Sequence, residues 1–272
     1  MRQEEAASLN GIALRSVEEF REESCMIPLL LGEIDGAEVY YRTMLAGDRI
    51  FLRQDPDWMG TLVLIDGEVS VSAEGEVTLL KDRANCTLDP EKAAEVYSAD
   101  LSHILEVRRY LGEERRERLK KSGVRFPIVR NYNDCPQYRE DFKSRKSISR
   151  SMIDHGVLPD FCMGSNESYG PDRVEKHSHP MLDQFFFSFE DNDVDLLIDQ
   201  HIQPYEGNTL IHIPLGSDHG VEIPAGKKMH YIWIDFMVDS GAIAYLDSVH
   251  KRTGVREYFG KDHTIAEERD SD

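Results

Sequence analysis

The segment Val174–Phe189, VEKHSHPMLDQFFFSF, sets His177 and His179 two residues apart and follows them with Gln184 and an apolar run. In an extended strand, residues two apart point to the same side, so both imidazoles can aim at one point. A turn at Pro180 lets the next strand bring Gln184 back towards them. Downstream, Pro214-Leu215-Gly216-Ser217-Asp218-His219 is a second turn that ends in an imidazole. Three imidazoles and one amide oxygen, His177, His179, His219 and Gln184, form a four-ligand set for one divalent transition metal with positions left open for substrate. Imidazole and amide suit Fe, Ni, Mn, Co and Zn alike. A neutral Gln184 leaves the site one unit more positive than a carboxylate would. That favours a metal acting as a Lewis acid on an anionic or polyhydroxy small molecule.

The same alternation sorts the strands around this segment. With Gln184 inward, Phe186 and Ser188 also face in, while Phe185, Phe187 and Phe189 point out. A row of three outward Phe needs a cover, supplied either by the first half of the chain or by a second subunit in a homodimer. In Met229–Val238, an inward Asp235 carries Tyr231 and Trp233 inward with it and turns His230 to the opposite face.

Short strands are expected at 26–31, 37–45, 49–52, 61–65 and 68–72, separated by turn pairs such as Asp35-Gly36, Asp66-Gly67 and Glu74-Gly75. Ser16-x-x-Glu19 reads as a capping box that opens a short helix. Glu113–Lys121, EERRERLKK, reads as a solvated helix stopped by Gly123. Phe126–Lys146 reads as an irregular excursion that either covers a barrel mouth or packs across a domain interface, with packing preferred. Cys162, on the strand leading into the histidines, falls near the site by sequence and reads as a small apolar filler rather than a ligand. After Gly241 come an apolar patch, Ile243–Val249, and then Tyr258-Phe259; from Lys261 the tail is polar and acidic and is expected to fray.

The 272 residues suffice for one large domain or two ordinary ones. A net charge of −19 disfavours nucleic acid and anionic lipid as partners, because both are polyanions. Cys25, Cys86, Cys135 and Cys162 are far apart with no Cys-x-x-Cys, which fits reduced thiols in a cytoplasmic protein. No apolar h-region opens the chain and no run of about 18 apolar residues occurs, so neither a signal peptide nor a transmembrane helix is expected.

Two motifs carry a family resemblance. Gly170, six residues, His177-x-His179, four residues, Gln184 resembles the first cupin motif. Gly207, six residues, Pro214-x-Gly216-x-x-His219 resembles the second. Gln184 stands where the family has glutamate, and Glu190-Asp191-Asn192-Asp193 replaces the glycine turn. The resemblance covers about residues 149–239 and implies an all-β fold, a double-stranded β-helix barrel with the metal inside. The first half resembles a diverged copy. Matching Leu62 with Phe186 and His103 with His230 gives nearly equal offsets of 124 and 127 residues. The whole then reads as two cupin barrels: a degenerate, metal-free one at 10–110, a helical and irregular linker at 111–148, a metal-binding one at 149–245, and a tail at 246–272. Arg53, Asp55 and Gly60 fall at the positions of His177, His179 and Gln184, a set without imidazole.

Three histidines and a glutamine at this spacing resemble the cupins that linearise unsaturated uronates in pectin and alginate breakdown. In that family an aspartate follows on the strand after the last metal histidine. The resemblance implies Asp235, in Ile232-Trp233-Ile234-Asp235-Phe236, as general acid or base, with Tyr231 beside it. Otherwise Asp235 is a strand-end carboxylate facing water. Three functions follow: a metal-dependent isomerase or related enzyme on a sugar acid, an Fe(II) dioxygenase, or a metal-stabilised binding protein without turnover.

Overall fold

The computed structural model describes residues 7–9, 11–250 and 253–256. Each half of the chain folds into two antiparallel sheets closed over an apolar interior. In the first half the larger sheet runs Ile128–Asn131, Ala84–Thr87, Trp58–Asp66, Ser102–Tyr110, Ala37–Met44, Cys25–Leu29. The smaller runs Arg49–Leu52, Ala94–Ser98, Glu68–Ala73, Glu76–Lys81. In the second half the larger sheet runs Ala7–Leu9, Ile12–Ser16, Thr209–Ile213, Leu182–Ser188, Lys228–Met237, Phe161–Tyr169, Ile148–Leu158, Gln137–Arg139, Thr253–Arg256. The smaller runs Asp172–Ser178, Asp218–Ile223, Asp193–Ile198, His201–Glu206. From Ala84–Thr87 and Thr209–Ile213 onward the orders match strand for strand, so the repeat suggested by the two offsets is a repeat of topology.

The chain shares strands between its halves, which moves the expected boundaries. Ile12–Ser16, placed with the first barrel by its position in the chain, pairs instead with Thr209–Ile213 of the second, with Leu14 opposite Ile211. Ile128–Asn131, read as linker, pairs with Ala84–Thr87 of the first. Each exchanged strand adds to the same side of its adopted sheet, beside Thr209–Ile213 or Ala84–Thr87, and satisfies backbone groups that would otherwise be exposed there. The helix expected from Ser16 is a single 3-10 turn, Glu18–Phe20; the Ser16 hydroxyl accepts from the Glu18 amide at 3.3 Å, but residues 12–16 are committed to the sheet. Helix α1, Gly112–Ser122, ends at Gly123 in the left-handed conformation (φ 70°), as expected. Its Arg115 and Arg118 grip Asp160 at the start of the second barrel.

The tail is also shorter than its expected span. Residues 241–249 form helix α2, Gly241–Val249, whose Ala242 and Leu246 are buried in the interior of the second barrel. Residues 257–272, with Tyr258, Phe259 and the acidic end, lie outside the described part.

Strand parity divides the second barrel as the alternation predicted. Phe186, Tyr231 and Trp233 belong to its interior. Phe185, Phe187, Phe189, Ile232, Ile234 and Phe236 belong to a core shared with Leu29, Tyr41, Val63 and Leu105 of the first barrel. Phe187 stacks on Tyr41 at 6.4 Å between ring centroids. The cover over the Phe row is therefore intramolecular, and the row gives no reason for a second subunit.

His230 faces this shared core. Its Nε2 pairs with the Tyr132 hydroxyl at 3.0 Å and its Nδ1 with Asp191 at 2.7 Å. Beside it, fully buried Arg150 and Glu167 form an ion pair at 2.8 Å, joined by Lys228 at 2.9 Å. Burial raises the Glu167 pKa, but the surrounding cationic groups outweigh it and hold the carboxyl at about 2. Because this is below the unfolded value of about 4.3, the pair contributes stability above that pH and loses it as pH falls towards 2. Glu167→Gln is expected to cost about 3–5 kcal/mol at neutral pH, since it removes the carboxylate that balances the buried Arg150 charge. Thermal melts from pH 7 to 2 check this: wild type should lose stability through the acid range, and the variant should start lower and lose less.

Candidate metal centre

The motif glycines have steric reasons. A Cβ on Gly170 would meet the Pro224 carbonyl oxygen at 1.8 Å, and Gly216 turns with φ 78°. The first lets Asp172–Ser178 start against the Ile223–Pro224 corner, and the second aims the chain into Asp218–Ile223. These two strands pair with His177 directly opposite His219. The ring centroids of His177 and His179 are 4.8 Å apart; His219 lies 4.8 Å from the first and 5.2 Å from the second. The structure therefore brings together the three histidines named from the spacing.

Each of these rings has its Nδ1 engaged. That of His177 faces the Glu175 carbonyl at 2.8 Å and that of His219 the Ser217 carbonyl at 3.2 Å. The Nδ1 of His179 faces Nε2 of His250 at 3.2 Å. Hydrogen bonds to the outer nitrogen fix ring orientation and leave the other nitrogen for a metal. Burial lowers the pKa of His177 to about 4 and of His219 to about 3, and lowers His179 as well, helped by His219 and His177. The rings are thus neutral near pH 7, the state that ligation requires. Among the described residues, the cluster of ligand-type side chains tight enough to hold an ion is His177, His179 and His250, with ligand atoms within 4.8 Å of one another. His219 is not part of that cluster; the neutral imidazoles gathered around the cavity are donors of the kind that fit a divalent transition metal.

Gln184 and Asp235 sit opposite one another on Leu182–Ser188 and Lys228–Met237, and Cys162 sits opposite Asp235 on the next strand. This row explains the contacts: the Gln184 amide donates to Asp235 at 2.8 Å, and the Cys162 thiol donates to its other oxygen at 3.8 Å. Of the two positions open for Asp235, the structure shows the inward one, with the residue buried. Burial pushes its pKa up to about 6, partly offset by the Gln184 bond. Tyr231 is inward too, stacked on Phe186 at 4.7 Å, with its hydroxyl accepting from Asn166 at 3.1 Å. Cys162, read as filler, also lines the cavity and bonds its carboxyl neighbour.

The Phe126–Lys146 excursion does both things open to it: Ile128–Asn131 and Tyr132 pack against the first barrel and the shared core, as preferred, and the stretch from Gln137 lies across the mouth of the second barrel. Gln137–Arg139 joins the barrel sheet, and Phe142 lies on His177 at 4.2 Å. Glu140 and Lys143 pair with each other inside the cavity; Lys143 also donates to Ser149 at 2.9 Å and Asn166 at 2.8 Å. Burial disfavours the Glu140 carboxylate, but Lys143 and His250 hold its pKa at about 2. With α2 and His250 at its rim, the cavity measures about 60 Å³, room for a few waters or a small polar ligand.

Glu140, Lys143, Asn166 and His250 were not among the residues named from the sequence. His250 had a usable signal: Ala242, Leu246 and His250 recur at a spacing of four, one face of a helix. The first barrel differs at the equivalent row. Gly60 there faces Arg108 where the second barrel has Gln184 facing Asp235. Arg108 bonds Glu38 and Asp55 at 2.8 Å each, so carboxylates and cation satisfy one another.

No family model matches the chain, and no curated protein matches its sequence. Solved structures do. A protein of Pseudomonas aeruginosa described as glyoxylate-induced aligns with TM-score 0.70 at 12% identity, over 86% of this chain and 92% of its own. An oxalate decarboxylase of Lactobacillus farciminis, solved with formate, aligns with TM-score 0.63 at 10% identity, over 89% and 91%. A cupin 2 conserved barrel domain protein of Leptotrichia buccalis aligns with TM-score 0.57 at 10% identity, over 82% and 95%. At these identities the likeness is one of fold: this chain has a cupin fold, built as two barrels. No helix among the described residues is long and apolar enough to cross a membrane.

Proposed function

We propose that the chain is a metal-dependent cupin enzyme, an isomerase or a related catalyst, acting on a small anionic, oxygen-rich metabolite such as a sugar acid. The observation that carries this is one cavity lined by three neutral imidazoles together with a buried carboxyl group, Asp235, separate from the imidazoles. A divalent metal held there by His177, His179, His219 and Gln184 would supply Lewis-acid polarisation of a substrate oxygen. Imidazole and amide bring no charge, and Glu140 is paired with Lys143, so the metal's charge is left for an anionic ligand to balance. Asp235 would take and return a proton beside the bound substrate. Phe186, Trp233 and Tyr231 wall that proton off from bulk water. The volume favours a compact acid.

The test is anaerobic incubation of metal-loaded protein with a panel of small oxo, hydroxy, dicarboxylic and uronic acids, followed by proton NMR. Turnover without oxygen is expected. Oxygen uptake with Fe(II) in place of that turnover would make the chain a dioxygenase. Binding of acids without any conversion would make it a binding protein, and the enzyme reading would fall.

A further inference from the structure

We infer that His250, at the end of α2, is the positioning residue for the metal ligand His179, and that the C-terminal helix thereby forms part of the metal centre. This rests on the metal reading of the site and extends it to a part of the chain outside both cupin motifs.

The three motif histidines share one arrangement, an outer nitrogen held by an acceptor. For His177 and His219 the acceptor is a backbone carbonyl two residues earlier, built into the local strand. His179 precedes Pro180, and its Nδ1 faces the imidazole of His250 at 3.2 Å instead. Nδ1 of His250 in turn donates to Glu140 at 2.6 Å. Donation at Nδ1 leaves Nε2 of His250 with a lone pair, so it accepts from Nδ1–H of His179, and Nε2 of His179 is free for a metal. The result is a carboxylate–imidazole–imidazole chain from Glu140 to the site. Outer partners of this kind set ligand tautomer and basicity.

The chain is held at both ends. Glu140 is buried and anchored by Lys143, itself bonded to Ser149 and Asn166. His250 is held by α2 through its backbone amide, which donates to the Leu246 carbonyl at 2.7 Å, and by Phe142, whose ring meets it edge-on at 5.0 Å. Ala242 and Leu246 seat that helix in the barrel interior. A different role is conceivable from proximity alone, since a ligand-type atom of His250 also lies within 4.8 Å of those of His177 and His179. Direct ligation would leave His179 as the one motif imidazole without an outer acceptor.

Co(II) binding to the full chain tests this, read by titration and by the visible ligand-field spectrum, neither of which needs a substrate. His250→Ala should weaken Co(II) binding about 10–100-fold, the scale of losing an outer partner, while the spectrum of the saturated variant keeps the wild-type band pattern. Glu140→Gln should weaken binding in the same direction. His250→Gln, whose amide oxygen can accept from His179, should recover most of the affinity. Unchanged affinity in His250→Ala would overturn the inference. So would a saturated spectrum showing one nitrogen donor fewer, which would make His250 a ligand. If His250→Ala fails to fold without metal, His250→Gln decides alone: near-normal affinity supports the inference and weak binding overturns it. His177→Ala run alongside separates the two levels, because full Co(II) binding there would remove the metal reading itself.

Discussion

His177→Ala is expected to empty the metal centre while leaving the barrel folded. Wild-type protein purified without a histidine tag from metal-supplemented medium should carry about one metal per chain, and the variant close to none. The loss should exceed the 10–100-fold that an outer hydrogen-bond partner is worth, because His177 pairs directly with His219 across two strands and closes the ring of imidazoles. The fold should survive because the interior of the second barrel is built from Val174, Phe186, Leu196, Ile211, Val221, Trp233 and their neighbours, none of which needs a metal to pack. A small metal-nucleated domain behaves in the opposite way. Elemental analysis and far-ultraviolet circular dichroism read both halves of the expectation. A variant unfolded at room temperature would make the metal structural and weaken the enzyme reading. A stoichiometry near two in wild type would reopen the first barrel as a site, against the Arg108–Glu38–Asp55 pairing that occupies its equivalent row.

Asp235→Asn and His230→Gln form an exclusive pair. The two residues lie on opposite faces of Lys228–Met237: Asp235 lines the cavity with Gln184 and Cys162, and His230 lies at the shared core, bonded to buried Tyr132 on one side and to exposed Asp191 on the other. Asp235→Asn keeps an oxygen to accept from the Gln184 amide, so metal should stay bound. Loss of the proton carrier should lower kcat by about 10²-fold or more. His230→Gln should leave kcat near wild type and reduce stability instead, by about 1–3 kcal/mol, because buried Tyr132 loses a hydrogen bond. Metal content, rate and melting temperature measured on both variants give the answer once a substrate is in hand. An active Asp235→Asn would assign Asp235 to holding Gln184 in place and remove the main link to the uronate-linearising pattern.

The class of fold and the placement of the histidines were legible along the chain because both depend on local rules. Period-two alternation put Gln184, Phe186, Tyr231, Trp233 and Asp235 on one face and Phe185, Phe187, Phe189 and His230 on the other, and the strands keep that parity. His-x-His on one strand and His219 after a glycine turn need only strand geometry to converge. The approximate repeat was visible because the matching strands of the two halves are spaced alike along the chain.

What only the tertiary structure decided concerns contacts between segments far apart in the chain. No local pattern tells Ile12–Ser16 to join the second barrel or Ile128–Asn131 the first, because an alternating strand fits any open edge and the choice depends on which edge lies nearby. The Phe row admitted two covers until Tyr41 was seen to meet Phe187. The Gln137–Lys146 stretch and the end of α2 line the cavity through Phe142, Glu140 and His250, side chains whose neighbours are ring stacks and hydrogen bonds across about 30 to 110 residues. Alternation and spacing act over a few residues at a time; the outer shell of the site is set by packing between elements that the chain order keeps apart.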